Sequence, residues 1–97
     1  ITAEQTQELM ETETDYIILD VRTEDEYNTG HVPKAIWLPY DAINQETTAD
    51  FRTDQLILVY CRSGNRSKKA CALLTDLGFT NVVDFGGISD WKGNIVK

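Results

Sequence analysis

Leu56-Ile57-Leu58-Val59-Tyr60-Cys61, followed by Arg62-Ser63-Gly64-Asn65-Arg66 and then Ser67-Lys68-Lys69-Ala70, is the most informative part of this chain. An unbroken apolar run of this length, closed by turn residues, predicts a strand buried on both faces. Cys61 falls at the carboxyl end of that strand, where open α/β sheets place their ligand sites. The polar turn after it opens a helix, whose first N–H groups favour anions and a thiolate. The segment reads as a nucleophile aimed at an anionic substrate. That reading requires an ionised sulfur, ringed by main-chain donors and open to solvent.

The flanking sequence repeats the alternation of strand and helix. Upstream, Thr2-Ala3-Glu4-Gln5 fits a capping box with Thr2 as N-cap. It starts a helix to about Thr12 with Ala3, Thr6, Leu9 and Met10 inward. Residues 16–19 form the first buried strand, ending at Asp20-Val21-Arg22. Thr23 and Glu26 repeat the capping pattern, and Gly30 stops the short helix that holds Tyr27. His31-Val32-Pro33 turns into a short strand over 35–38, closed by Pro39. Residues 40–55 are polar, with Ile43 and Phe51 as anchors, and predict one or two short helices joined by loop. Beyond Cys61, Ala70, Cys71, Leu74 and Leu77 recur at helical spacing over 67–77, with Gly78 at the helix end. Residues 81–84 predict the last strand, Gly86-Gly87 a turn, and the region of Asp90 and Trp91 a short helix. The pattern defines an α/β fold: a small, mainly parallel central sheet with helices on both faces.

The 97 residues are read as a single domain with its own core. No run approaches the length needed to cross a bilayer. The net charge of −7 argues against nucleic acid or anionic membrane as a partner. Its distribution is uneven: residues 1–54 carry a net −10 and residues 55–97 a net +3. Arg62, Arg66, Lys68 and Lys69 make the cysteine turn a local positive site on an acidic protein, as an anion pocket requires. Cys61 and Cys71 are read as too far apart to bridge, roughly 15 Å at helical rise. Two unpaired thiols suit a reducing compartment, and the expectation is cytoplasmic. Because the sequence begins at Ile1, anything upstream, an export signal included, lies outside what it reports. A monomer is expected, since no apolar interface is evident.

Cys61 is the candidate nucleophile, with Gly64 letting the turn approach it closely. Cys71, on an apolar helical stripe, is read as core packing. His31, the only histidine, is read as turn chemistry rather than as half of a dyad. Asp20 and Arg22 flank the strand end and are read as an ion pair fixing neighbouring loops. Trp37 and Trp91 are read as core aromatics, and the acidic stretch from Glu11 to Asp15 as a solvated face. No cluster has metal-ligand spacing and no nucleotide-binding glycine loop is present.

Several segments together resemble the rhodanese family. Asp20-Val21-Arg22, Glu26-Tyr27 and Gly30-His31-Val32-Pro33-Lys34-Ala35 resemble its amino-terminal motif. Cys61-Arg62-Ser63-Gly64-Asn65-Arg66-Ser67 looks like its active-site loop, and Gly86-Gly87 with Trp91 like its carboxyl-terminal motif. Lys34 stands where a small residue, often Gly, is usual, with little consequence expected. The resemblance implies a single-domain rhodanese, a thiosulfate sulfurtransferase that moves a sulfane sulfur through a Cys61 persulfide. It implies thiosulfate or another persulfide as the small anionic donor, a thiol (possibly a protein thiol) or cyanide as acceptor, and no metal or organic cofactor. The amides of residues 62–67 would cradle the sulfur, with Arg62, Ser63, Gly64, Asn65, Arg66 and Ser67 binding substrate. Asp20, Arg22 and His31 carry over as structural support.

Two alternatives stand beside it. One is a rhodanese-like sulfur-carrier or partner-binding module without independent turnover. The other is a cysteine phosphatase or arsenate reductase, whose Cys-x5-Arg loop needs an arginine where this chain has Ser67. Its arginine comes one residue early, at Arg66, and the tighter ring suits a lone sulfur better than a tetrahedral phosphate.

Overall fold

The structure, a computed structural model, describes residues 3–62, 64–91 and 93–97. In chain order it contains α1 (Ala3–Thr12), β1 (Tyr16–Asp20), α2 (Glu24–Thr29), β2 (Ile36–Trp37), β3 (Leu56–Cys61), α3 (Asn65–Asp76) and β4 (Val82–Gly87). Short 3-10 turns cover Tyr40–Ala42 and Ile88–Asp90. The sheet is parallel throughout, in the order β2-β1-β3-β4. The cap expected at Thr2 lies outside the described residues.

The apolar run of β3 is continuous because both faces of the central strand are covered. Ile57, Val59 and Cys61 point to one side, where Leu19, Val21, Ala70, Leu74 and Phe79 complete a core under α3. Leu58 and Tyr60 point to the other, packing with Ile18, Val32 and Phe85 beneath Leu9, Met10, Tyr27 and Trp91. The two-residue period of a strand divides the same six residues between two cores. Each fully buried aliphatic side chain there contributes roughly 1.5–3 kcal/mol. Thr23 caps α2 in a reciprocal capping box with Glu26.

Several local expectations are corrected. β2 is shorter than the strand expected over 35–38, and Ile36 and Trp37 are exposed. Trp37 is not a core aromatic; its indole N–H donates to the Arg22 carbonyl at 2.9 Å. Residues 40–55 contain one 3-10 turn followed by hydrogen-bonded turns, anchored by buried Ile43 and partly buried Phe51. α3 starts at Asn65, two residues earlier than its apolar stripe suggests. Gly86 and Gly87 are not a turn. They extend β4, where a bulge brings Gly87 opposite Cys61. Lys34 adopts φ 70°, a left-handed conformation that costs a side chain about 1–2 kcal/mol, so its replacement of a small residue does have a consequence.

Candidate active site

Because every strand runs the same way, the carboxyl ends of all four share one rim. Register places Asp20 beside Trp37 and beside Tyr60, and Cys61 opposite Gly87. The chain leaves β3 at Cys61 and turns at once into α3. Gly64, at φ 100° and ψ −15°, is the N-cap of that helix. Few residues other than glycine adopt this conformation, and it swings the Gly64 N–H back onto the sulfur.

That N–H donates to Cys61 Sγ at 2.9 Å. The thiol in turn donates to Ser67 Oγ at 3.5 Å, and the Ser67 hydroxyl donates to the Gly64 carbonyl at 3.0 Å. Cys61, Gly64 and Ser67 thus form a closed, buried hydrogen-bonded group at the start of α3. Cys61 itself is wholly buried. This corrects the expectation of a sulfur open to solvent: the turn folds over the thiol, and the bulged end of β4 lies against its strand. Ser63 lies outside the described residues.

The loop cations differ in state. Arg62 is exposed and forms no ion pair among the described residues. Arg66, expected to meet an anionic substrate, instead holds Glu26 through two hydrogen bonds, Nη1 to Oε1 at 2.8 Å and Nη2 to Oε2 at 3.0 Å. The Arg66 guanidinium is the main cause that lowers the Glu26 carboxyl to about 2. Asn65 is the exposed first residue of α3. Lys69 lies over the Tyr40 ring at 5.8 Å.

Beneath the rim, Asp20 and Arg22 form a buried pair, Arg22 Nη2 to Asp20 Oδ2 at 2.6 Å. The same guanidinium nitrogen donates to the Gly30 carbonyl at 2.7 Å, which ties the end of α2 to β1. The Tyr60 hydroxyl donates to Asp20 and accepts the Val32 N–H at 3.1 Å. Its burial pushes the phenol pKa up, so it stays protonated as a donor. His31 stacks on Tyr27 with ring centroids 3.9 Å apart, and its Nδ1 lies 3.0 Å from the Tyr27 carbonyl, as a donor if protonated there. Its backbone bridges Val96. Asp20, Arg22 and His31 thus make their contacts with neighbouring backbone and side chains at this rim. Cys71 packs against the α3 core, and burial pushes its thiol up to about 12.

Two residues of this rim escaped the sequence reading. Tyr60 reads as one residue of an apolar run, although a buried tyrosine oxygen must find a partner, here Asp20 and the Val32 N–H. Glu26 reads as a capping-box residue, yet its carboxylate also accepts from Arg66 at both oxygens, sharing Oε1 with Thr23.

A parallel α/β sheet with a cysteine held beneath a helix-opening turn agrees with the comparison with family models. The chain belongs to the rhodanese-like domain family, whose model matches residues 2–94. Among curated relatives, a sulfurtransferase of Allochromatium vinosum is 38% identical over 88% of this chain and 78% of its own length. The thiosulfate sulfurtransferase PspE of Escherichia coli is 33% identical over 74% of this chain and 70% of its own. The chain also matches the adenylyltransferase and sulfurtransferase UBA4 of Meyerozyma guilliermondii, at 36% identity over 84% of this chain, but spans only 21% of that protein. Among solved structures, the Alr3790 protein from Anabaena sp. superposes with a TM-score of 0.90 at 27% identity, covering 99% of this chain and 90% of that one. Among the described residues, no helix is long and apolar enough to cross a membrane.

Proposed function

We propose that this chain, acting as one unit over residues 1–97, is a sulfurtransferase that carries a sulfane sulfur on Cys61. The observation that supports this most directly is the Gly64 N–H aimed at Cys61 Sγ. A main-chain donor at the opening of a twelve-residue helix stabilises negative charge on sulfur, in the thiolate and again in the persulfide. Cys61 is wholly buried, so transfer requires the site to open to the donor. The Cys61 thiolate then attacks the outer sulfur of thiosulfate, the S–S bond breaks, and sulfite leaves with the electron pair. The persulfide keeps one negative charge. A thiolate or cyanide then attacks its terminal sulfur, forming a new persulfide or thiocyanate and returning the Cys61 thiolate. The two half-reactions make a ping-pong cycle that needs no metal or organic cofactor.

Ser67 suits both stages, because its hydroxyl can turn from the Gly64 carbonyl to the sulfur once the thiol proton is lost. Arg62, exposed on the turn, is one cation available to the incoming anion. The absence of a disulfide at Cys61 and Cys71 favours a reducing, cytoplasmic setting. In this reading a monomer meets thiosulfate or a persulfide donor and a small or protein thiol.

The complete burial of Cys61 favours a second reading, in which a partner protein must open the turn and the domain carries sulfur without turnover of its own. Mass spectrometry after mixing with thiosulfate separates the two. Gain of one sulfur at Cys61, absent in Cys61→Ser and discharged by cyanide or a dithiol, supports the enzyme; no gain favours the partner-dependent module.

A further inference from the structure

We propose that Glu26 tunes the charge preference of this site by holding Arg66, which shifts the loop toward singly charged sulfur donors and away from dianions. The inference rests on the sulfur-transfer reading of Cys61 for its meaning, but its charge effect is measurable without transfer.

Arg66 sits in the first turn of α3, next to Ser67, whose hydroxyl lies 3.5 Å from Cys61 Sγ. A free guanidinium there would add one positive charge to the donor's approach. Glu26 cancels that charge with a fork-to-fork pair, the strongest geometry a carboxylate and a guanidinium can adopt. The carboxylate is also held in advance. The Thr23 hydroxyl donates to Glu26 Oε1 at 3.0 Å, and the Thr23 N–H reaches the same oxygen at 3.3 Å. The pair thus joins two separate elements rather than drifting on the surface, with each side chain only 26% exposed. What remains near the turn is the exposed Arg62 and the exposed Lys68 of the first turn of α3, one positive charge fewer than with Arg66 released. A dianion such as thiosulfate feels that loss twice as strongly as a monoanion.

Coulomb energy scales with the product of charges, so changing one charge at the pair moves the logarithm of affinity twice as far for a dianion as for a monoanion. Thiosulfate and methanethiosulfonate provide the comparison. Each offers a terminal sulfur bound to an oxidised sulfur, and they differ by one negative charge. Glu26→Gln is the informative variant, because glutamine also serves at this position of a capping box.

Binding of both anions is titrated by NMR in the Cys61→Ser background, and KM is measured for both donors with Cys61 intact. Glu26→Gln is expected to tighten thiosulfate about tenfold and methanethiosulfonate about threefold. Arg66→Gln is expected to weaken them by the same factors, and the double variant to return both near the starting values. If one single variant folds poorly, the other single and the double variant still carry the comparison between the two anions. Equal changes for the two anions, no change, or a double variant as weak as Arg66→Gln would overturn the role of Glu26. Charge-dependent binding without any sulfur gained by Cys61 would leave Glu26 its role and overturn the transfer reading instead.

Discussion

The Tyr60 hydroxyl sits 2.7 Å from Asp20 Oδ2, joining the last residue of β1 to the residue before the candidate nucleophile. The contact lies at the centre of a buried network that also takes in Arg22, Val32 and Gly30. Tyr60→Phe removes one donor from a buried carboxylate and leaves the Val32 N–H without its acceptor. The expected cost is about 2 kcal/mol in urea denaturation, with an unchanged denaturant slope. A loss below about 0.5 kcal/mol would show that the network relaxes without the oxygen.

Acid should weaken the fold in a window that one variant can identify. The Glu26 carboxyl is lowered from 4.5 to about 2, chiefly by its hydrogen bonds to Arg66. A group with a depressed folded pKa stabilises the fold above its unfolded pKa. That contribution disappears as pH falls from about 4.5 through about 2. Glu26→Gln should therefore flatten the stability profile across this interval and leave its shape above pH 5 unchanged, as read by thermal melts at stepped pH. Parallel profiles for the two proteins would contradict the assignment.

Lys34 holds a left-handed backbone at φ 70° with its side chain exposed. Lys34→Gly relieves the steric penalty of the β-carbon while adding freedom to the unfolded chain, and the first effect is the larger. The expected gain is about 0.5–1 kcal/mol, seen as a higher melting temperature. A lower one would mean that the lysine stem makes contacts worth more than the strain.

Gly64 offers a test of the sulfur cradle. A β-carbon there would lie 3.9 Å from Gly86 Cα, so space is sufficient and the obstacle is the backbone conformation at φ 100°. Gly64→Ala should cost about 1–2 kcal/mol of stability. It should also turn the N–H away from Cys61 and slow persulfide formation by at least about tenfold, the effect of losing roughly 1.4 kcal/mol of charge stabilisation. Loading at the original rate in a folded variant would remove that N–H from the mechanism.

Much of this architecture was legible because it follows from local periodicity. The six residues of β3 could be apolar without a break only if both faces were covered, and the two cores cover them. The capping box of Thr23 and Glu26 was equally plain, being a contact within four residues. What escaped depended on partners distant in sequence. Gly86 and Gly87 resemble a turn by composition, yet pairing with the end of β3 draws them into the sheet. Trp37 looks like a core residue until its strand is known to lie at the sheet edge. Arg66 reads as a free cation near a cysteine, and its carboxylate lies forty positions away. The closure of the turn over Cys61 depends on how α3 meets β4, which no local pattern records.

The shared direction of the strands has a practical result. Everything tied to the proposed sulfur handling gathers where β1 and β3 finish, at Asp20 and Cys61, while Tyr16 and Leu56 begin those strands at the far side. Grafts or labels placed in the connections around 13–15 and 52–54, which are solvent-facing, would sit a full strand length from the thiol. That side is where the scaffold can be tethered or decorated while its chemistry is left alone.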